Sequence, residues 1–581
     1  MKTSLLSAAA LSALTLAACT HVPDAATQSL DQLTGRAPTG DGMADTMVSD
    51  ATAIAPPQLS EQTMKDVTRE LSSDAFQGRA PGTIGEEKTK ALMVQRFQQA
   101  GLKPGNEGSW FQEVPLVEIT ARDFSPLTIG GGKQALSFRN GDDFVAVTYR
   151  ETPSIDLKDS ELVFVGYGVN APERGWNDYA GIDVKGKTVV ILVNDPDFGT
   201  QSLDGPFGGR AMTYYGRWTY KYEEAARQGA AAALIVHDTA PAAYGWNVVE
   251  SSWTGPQYLA QSNDKGADQT MINGWVQKPV AERIFAAAGK DMNALMQAAR
   301  KKGFKAVPLG ETASLSFQND FSRKLSNNIV AVLPGARRPD EYVLYTAHWD
   351  HLGICKPAPD GDDICNGAVD NATGSAALVA LAEAQVKAGA PDRSIVFLNV
   401  TAEESGLLGS QYYADHPIYP LARTAGGVNM DALSLAGPAK NLTVIGLGKS
   451  DLDDYLNAAA RIEGRTPERE PTPEKGFYYR SDHFSLAKQG VPMAYFESGE
   501  DLVDGGRAAG AAAAEDYIEN RYHGPKDEYD PGWDWTGVMS DLRLYYRIGR
   551  ELAMTGDWPN WKPGDEFRAI RDETADQRAG Q

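Results

Sequence analysis

The chain has 581 residues, 42% hydrophobic and 23% charged, so two or three domains are expected and wholesale disorder is excluded. Its formal charge is −22 with no basic run, which sets aside nucleic acid as a partner. Acidity of this kind is read as solubility rather than as a sign of a cationic partner.

The first nineteen residues, MKTSLLSAAALSALTLAAC, place Lys2 before an apolar run too short to span a bilayer, the pattern of a secretory signal. The run ends Leu16-Ala17-Ala18-Cys19, which resembles the lipobox of bacterial lipoproteins. That resemblance implies removal of residues 1–18, lipidation of Cys19 and an exported, periplasm-facing protein anchored in the cell envelope, at the outer membrane. The alternative is an ordinary cleaved signal with an incidental cysteine. Residues 19–57, rich in Ala, Thr, Asp, Gly and Pro and without a period, read as a flexible tether.

From Gln58 the spacing predicts helices over Glu61–Leu71 and Gly85–Ala100, the second stopped by Gly101, with a turn at Gln77-Gly78-Arg79-Ala80-Pro81-Gly82-Thr83 between them. From about Asp123 to Ser322 the texture changes to short strand candidates, among them 161–166, 188–193 and 232–237. His237 reads as a core or strand-end histidine. No set of ligands or nucleophiles clusters there, so this stretch is expected to be a second domain without chemistry of its own.

Beyond Lys324, strands (328–333, 343–347, 394–401, 427–430, 442–446, 491–496) alternate with helices (374–388, 407–415, 452–464, 482–489). The fold class this predicts is α/β, a mixed and mostly parallel sheet flanked by helices, with its site at the C-terminal strand ends. With Cys19 assigned to the lipid, Cys355 and Cys365 remain, and export predicts a disulfide between them; free thiols serving as metal ligands are the alternative. Asp501–Glu515 reads as a mobile loop near His523.

Those strand ends carry the polar residues. The first ends in His348-Trp349-Asp350-His351, and Asp370 opens the following helix; later ends give Glu403-Glu404 and Asp431, and His523 lies far downstream. Two imidazoles with several carboxylates are the donor mixture of a carboxylate-bridged zinc pair. Two divalent ions carry +4; Asp370, Glu404 and Asp431 supply −3 and a hydroxide the last charge, which leaves Glu403 as a base. Taken singly, each has a structural reading: a Glu-Glu pair on the surface, or Asp431 as a helix cap.

The series AHWDHLG, NGAVDNATGSA, TAEESGLLGS, NMDALS, YYRSDHFSLAKQGVP and YHGPKDEYD resembles the M28 family of co-catalytic zinc aminopeptidases in order and spacing. GYGVNAPERGWNDYAGIDVKGKTVVILVNDP is similar to the protease-associated (PA) domain that some members carry as an insertion. The resemblance implies a zinc-exopeptidase catalytic domain over 58–122 and 323–565, a β-rich PA insert over 123–322 and a tail over 566–581. It also implies two Zn2+ bridged by Asp370, one completed by His348 and Asp431 and the other by Glu404 and His523. Glu403 would be the general base, Asp350 the carboxylate that orients His348, and Tyr478 an oxyanion donor; His351 drops out as a ligand. The function implied is removal of N-terminal residues from peptide substrates. A carboxypeptidase or dipeptidase of the same superfamily is the near rival, for which Arg480 is a candidate carboxylate partner. A non-catalytic receptor or scaffold is the distant one, since it predicts broken ligand positions. No Gly-x-Ser-x-Gly or His-Glu-x-x-His suggests another hydrolytic route.

Overall fold

Apolar runs punctuated by Gly, Asp and Pro become the strands of a large mixed sheet in the computed structural model, which describes residues 56–132 and 134–578. The expected signal, Cys19 and nearly all of the tether lie outside the described residues. Arg338–His348 is central: it runs parallel to Arg393–Val400 on one side and to Thr424–Asn429 on the other. Met493–Ser498 extends the parallel set, while Val307–Leu333 and Asn441–Val444 pair antiparallel at its margins.

The central strands are covered on both faces, which is why they read as unbroken apolar runs. Val343, Tyr345 and Phe397 pack with Met64, Phe97, Leu378 and Leu542, from the helices Glu61–Leu71, Ile84–Ala100, Thr373–Lys387 and Thr536–Met554. Leu344 and Leu398 pack on the other face with Tyr413 and Leu486, from Leu408–Asp415 and His483–Lys488. This is the expected fold class.

Several elements differ from the sequence expectation. The strand anticipated over 328–333 is the end of a 27-residue strand, Val307–Leu333. Its middle, Asp320 to Arg323, is exposed on both faces, so no alternation marks it as a strand. Over Gln318–Ile329 it pairs with Phe111–Arg122, and further back with Ser154–Phe164, so one continuous strand joins the main sheet to the 123–322 region. That region has its own buried cluster, including Phe144, Phe164, Leu234 and Phe285. His237 is buried there, with Nε2 3.0 Å from the Tyr244 carbonyl.

The helix Thr536–Met554 was not anticipated, because its buried face carries Asp541, Arg547, Arg550 and Glu551 among the apolar residues. Asp541 pairs with Arg465, which removes the charge penalty that the pattern suggested. The expected mobile loop 501–515 is also corrected: Gly506–Asn520 is a helix, consistent with its alanine content, and Gly510 lets it approach the Glu500 backbone, where a Cβ would meet the carbonyl oxygen at 2.1 Å. The segment beyond 565 packs on the sheet, with Phe567 buried and Arg571 donating to the carbonyls of Thr424 and Ala425.

Candidate metal centre

Three adjacent parallel strands deliver their C-terminal ends to one place. His348 is the last residue of Arg338–His348, paired with Val400, from which the chain runs on to Glu403 and Glu404. Thr424–Asn429 runs into Met430 and Asp431. Asp370 lies in the irregular turn 368–372 that opens the helix Thr373–Lys387. Ala402 and Ala432, beside these acids, take positive φ (52° and 48°), which turns the chain sharply as it leaves each strand.

Two groups of three donors result, each with its ligand atoms within 4.8 Å of one another: His348, Asp370, Asp431, and His351, Asp370, Glu404. Asp370 belongs to both. His348 Nε2 is 3.0 Å from Asp431 Oδ1 and 3.2 Å from Asp370 Oδ1. On the other side His523 Nε2 is 3.3 Å from Asp370 Oδ2 and 3.1 Å from Glu404 Oε2. Glu403 Oε2 stands 4.0 Å from His348 Nε2 and is in neither group.

The surrounding bonds hold these donors in place. His348 Nδ1 is 3.1 Å from the main-chain oxygen of Asp350, and Ser375 Oγ donates to the His348 carbonyl at 3.1 Å. Ser481 Oγ donates to Asp431 Oδ2 at 2.6 Å. The Asp527 carboxylate accepts the N–H groups of Val369 and Asp370, both at 3.0 Å. Beneath the site, the buried Arg79 guanidinium donates to the carbonyls of Leu71, Trp349, Asn366 and Gly367, so it ties the loop after His348 to the loop before Asp370.

The electrostatics are those of a site built for cations. Burial opposes charge on every member. Against it, the Asp431 and Glu403 charges and bonds to Asp370 and Asp431 hold the His348 imidazole well above its usual range, and Glu404 with Asp370 lifts His523 to about 10. Reciprocally, hydrogen bonds from His348 and His523 hold Asp370 well below the carboxylate range, and the charges of His351 and His523 bring Glu404 down to about 2. Glu403 goes the other way: burial, then the Asp431 and Glu404 charges, push it well up. Buried imidazoles and carboxylates thus balance one another's charge, and a donor set of imidazole and carboxylate suits zinc.

The geometry brings together His348, Asp370, Glu404, Asp431 and His523 with Glu403 beside them. Three details correct the sequence expectation. Asp350 faces His348 through its main-chain oxygen; its carboxylate Oδ1 is 3.8 Å away and instead accepts the Glu403 N–H at 3.1 Å. His351, set aside from the sequence, puts Nδ1 2.6 Å from Glu404 Oε1. The signal was its place three residues after His348, in the stretch that leaves the strand end. Tyr478 is buried with its ring against His483 and under the Lys449 ammonium, lining a separate small cavity with Gly446, Leu452 and Trp561, and its hydroxyl has no hydrogen-bond partner. The tyrosine at the metal cluster is Tyr522, stacked on His523 at 3.8 Å and facing the charges of Asp370, Glu404 and Glu403. At the rim, the sulfurs of Cys355 and Cys365 lie 1.93 Å apart.

Residues 328–546 match the family described as peptidase family M28. Over 130 residues the chain is 32% identical to the mouse protein named aminopeptidase NAALADL1, a match covering 21% of this chain and 16% of that one. It is 27% identical over 130 residues to a glutamate carboxypeptidase 2 homolog of Caenorhabditis elegans, covering 21% of this chain and 15% of that one. The chain therefore spans about a sixth of the length of these relatives. Among solved structures, an aminopeptidase from Aneurinibacillus sp. strain AM-1 superimposes with a TM-score of 0.46 at 20% identity, over 86% of this chain and 95% of that one.

Proposed function

With residues 328–546 belonging to peptidase family M28, we propose that the protein is an exported di-zinc metallo-aminopeptidase that removes N-terminal residues from peptides. The observation that carries this reading is the pair of donor groups sharing Asp370, the second of them, with His351 and Glu404, also approached by His523 Nε2 at 3.3 Å from Asp370 Oδ2 and 3.1 Å from Glu404 Oε2, and Glu403 outside both. His348, Asp370 and Asp431 would hold one zinc, and Asp370, Glu404 and His523 the other, with His351 fixing Glu404. Bound there, the ions would polarise the scissile carbonyl and acidify a water.

The chain's own residues then move the proton. Glu403, held by the Asp350 carboxylate at its backbone, takes a proton from the attacking water and returns it to the leaving amine. Tyr522, rather than Tyr478, offers a hydroxyl to the developing oxyanion. The domain division at about 122 and 322, the PA character of the insert, the disulfide Cys355–Cys365 and lipid anchoring through Cys19 in the cell envelope complete the proposal.

The test is a panel of aminoacyl and N-blocked peptides, with and without chelator, using protein that lacks residues 1–18. Free N-termini should be required and chelation should abolish hydrolysis. Cleavage of N-blocked peptides from the C-terminal end would overturn the aminopeptidase assignment in favour of a carboxypeptidase, and activity surviving full metal removal would overturn the mechanism.

A further inference from the structure

The turn that carries Asp370 and the strand exit that carries Asp431 are stitched together by two side chains outside both donor groups. The run Asp370-Asn371-Ala372-Thr373-Gly374 places Asn371 directly after the shared acid and Thr373 at the start of the helix Thr373–Lys387. Both are fully buried. Asn371 Nδ2 donates to the Met430 carbonyl at 3.1 Å, and Asn371 Oδ1 accepts the Ala432 N–H at 3.2 Å. One amide thus grips the main chain on either side of Asp431. Thr373 Oγ1 accepts the Leu433 N–H at 3.1 Å and donates to the Val369 carbonyl at 2.7 Å. A second side chain therefore reaches the same exit and ties it back to the residue before Asp370.

Each group is matched to its task. A primary amide offers a donor and an acceptor at one planar end, as bonding to a carbonyl and an N–H two residues apart requires. Oδ1 of Asn371 also accepts the Gly374 N–H at 2.9 Å, and a Cβ on residue 374 would collide with that amide, so glycine lets the helix start come this close. The Thr373 hydroxyl accepts one hydrogen and gives its own. Ala432 takes a φ of 48°, which residues with a Cβ adopt rarely, and its bond to Asn371 holds it there.

These bonds join neutral groups and do not depend on a cation. That matters because Asp370 and Asp431 are like charges whose oxygens approach one nitrogen, His348 Nε2, at 3.2 and 3.0 Å. Left to their charges the two would part. With the main chain fixed at both, their donor atoms stay within 4.8 Å, and the cost of ordering them is met by folding rather than by ion binding. Glu404, the acid of the other group, is reached instead by His351 at 2.6 Å and His523 at 3.1 Å.

We propose that Asn371 and Thr373 are positioning residues that set the spacing of Asp370 and Asp431, and thereby the affinity for the zinc that these acids and His348 would hold. This rests on the di-zinc reading above and deepens it, because it assigns the control of one metal position to two residues that donate nothing to the metal.

The experiment titrates zinc, in competition with a chromophoric chelator, back into the metal-stripped wild type, Asn371→Ala, Thr373→Val and Thr373→Ser. Asn371→Ala and Thr373→Val should each weaken one of the two zincs by about 10–100-fold and leave the other within about threefold. Thr373→Ser, which keeps the hydroxyl, should bind both within about threefold of the wild type. Amide hydrogen exchange of the metal-free proteins reads the stitch without zinc or activity. Exchange over residues 430–433 should be at least about tenfold faster in Asn371→Ala and Thr373→Val than in the wild type and Thr373→Ser, with the strand Arg393–Val400 unchanged. Unchanged zinc affinities in the two disruptive variants, or equal weakening at both positions, refute the proposal and leave the di-zinc reading standing. If Asn371→Ala does not fold, the contrast between Thr373→Val and Thr373→Ser gives the same decision. Binding of fewer than two zincs by the wild type refutes the di-zinc reading; exchange over 430–433 then decides the stitch, and equal rates in all four proteins overturn it.

Discussion

Replacing Arg79 by methionine should loosen the metal centre from beneath. The guanidinium donates to four main-chain carbonyls, two of them, Asn366 and Gly367, just before the Asp370 turn and one, Trp349, just after His348. Hydrogen bonds to a charged group contribute about 1.5–3 kcal/mol each, so four give roughly 6–12 kcal/mol gross. Desolvating the guanidinium costs several kcal/mol, which leaves a net loss of about 3–6 kcal/mol on substitution. With an unfolding entropy of about 2.1 cal/mol/K per residue, a body of roughly 500 residues loses about 3–6 °C in Tm. The local effect is larger, because the two loops carry His348 and Asp370, and mispositioned ligands lower metal affinity about 10–100-fold. The assay is a zinc competition titration beside a melting curve. If Arg79→Met keeps wild-type zinc affinity and a Tm within about 1 °C, the scaffold role assigned to Arg79 is wrong.

Glu403→Gln should reduce turnover by at least about 100-fold while metal analysis still finds two zincs per chain; a wild-type rate would remove Glu403 as the base. Tyr522→Phe should lower kcat by about 10–100-fold with zinc binding unchanged, whereas Tyr478→Phe should leave kcat nearly untouched; the reverse order would return the oxyanion role to Tyr478. Burial holds the His483 imidazole down to about 3 in the folded state, against an ordinary value near 6.5. The unfolded chain therefore binds the extra proton, so this contribution to stability is full above about pH 6.5 and is lost as pH falls toward 3. Acid unfolding of His483→Gln should accordingly be less steep between about pH 6 and 4, and an unchanged slope would show that His483 does not titrate on unfolding.

The two-faced α/β sheet was legible because its central strands, such as Val343–Ala347, are apolar on both sides and end abruptly in His348, Glu403 and Asp431. Such runs can form only where helices cover both faces, and polar residues at their C-terminal ends fall on one edge of the sheet. Elements whose burial relies on ion pairs or distant partners left no such trace. The helix Thr536–Met554 hides charged residues whose partners lie elsewhere in the chain, Asp541 on Arg465, Arg547 on Glu463 and Arg550 on the Gly389 carbonyl, and the exposed middle of Val307–Leu333 shows no alternation.

The sequence by itself determined which donors exist and that they gather at strand ends, since residue type and strand-end position are local properties; that Asp370 stands between two sets was implied only by the resemblance to family M28. Only the tertiary structure decided which atom of Asp350 meets His348, that His351 braces Glu404, and that Tyr522 rather than Tyr478 stacks on His523. Those are contacts between residues far apart in the chain, or choices of direction by a side chain, and they are fixed by packing and hydrogen bonding that no spacing along the chain encodes.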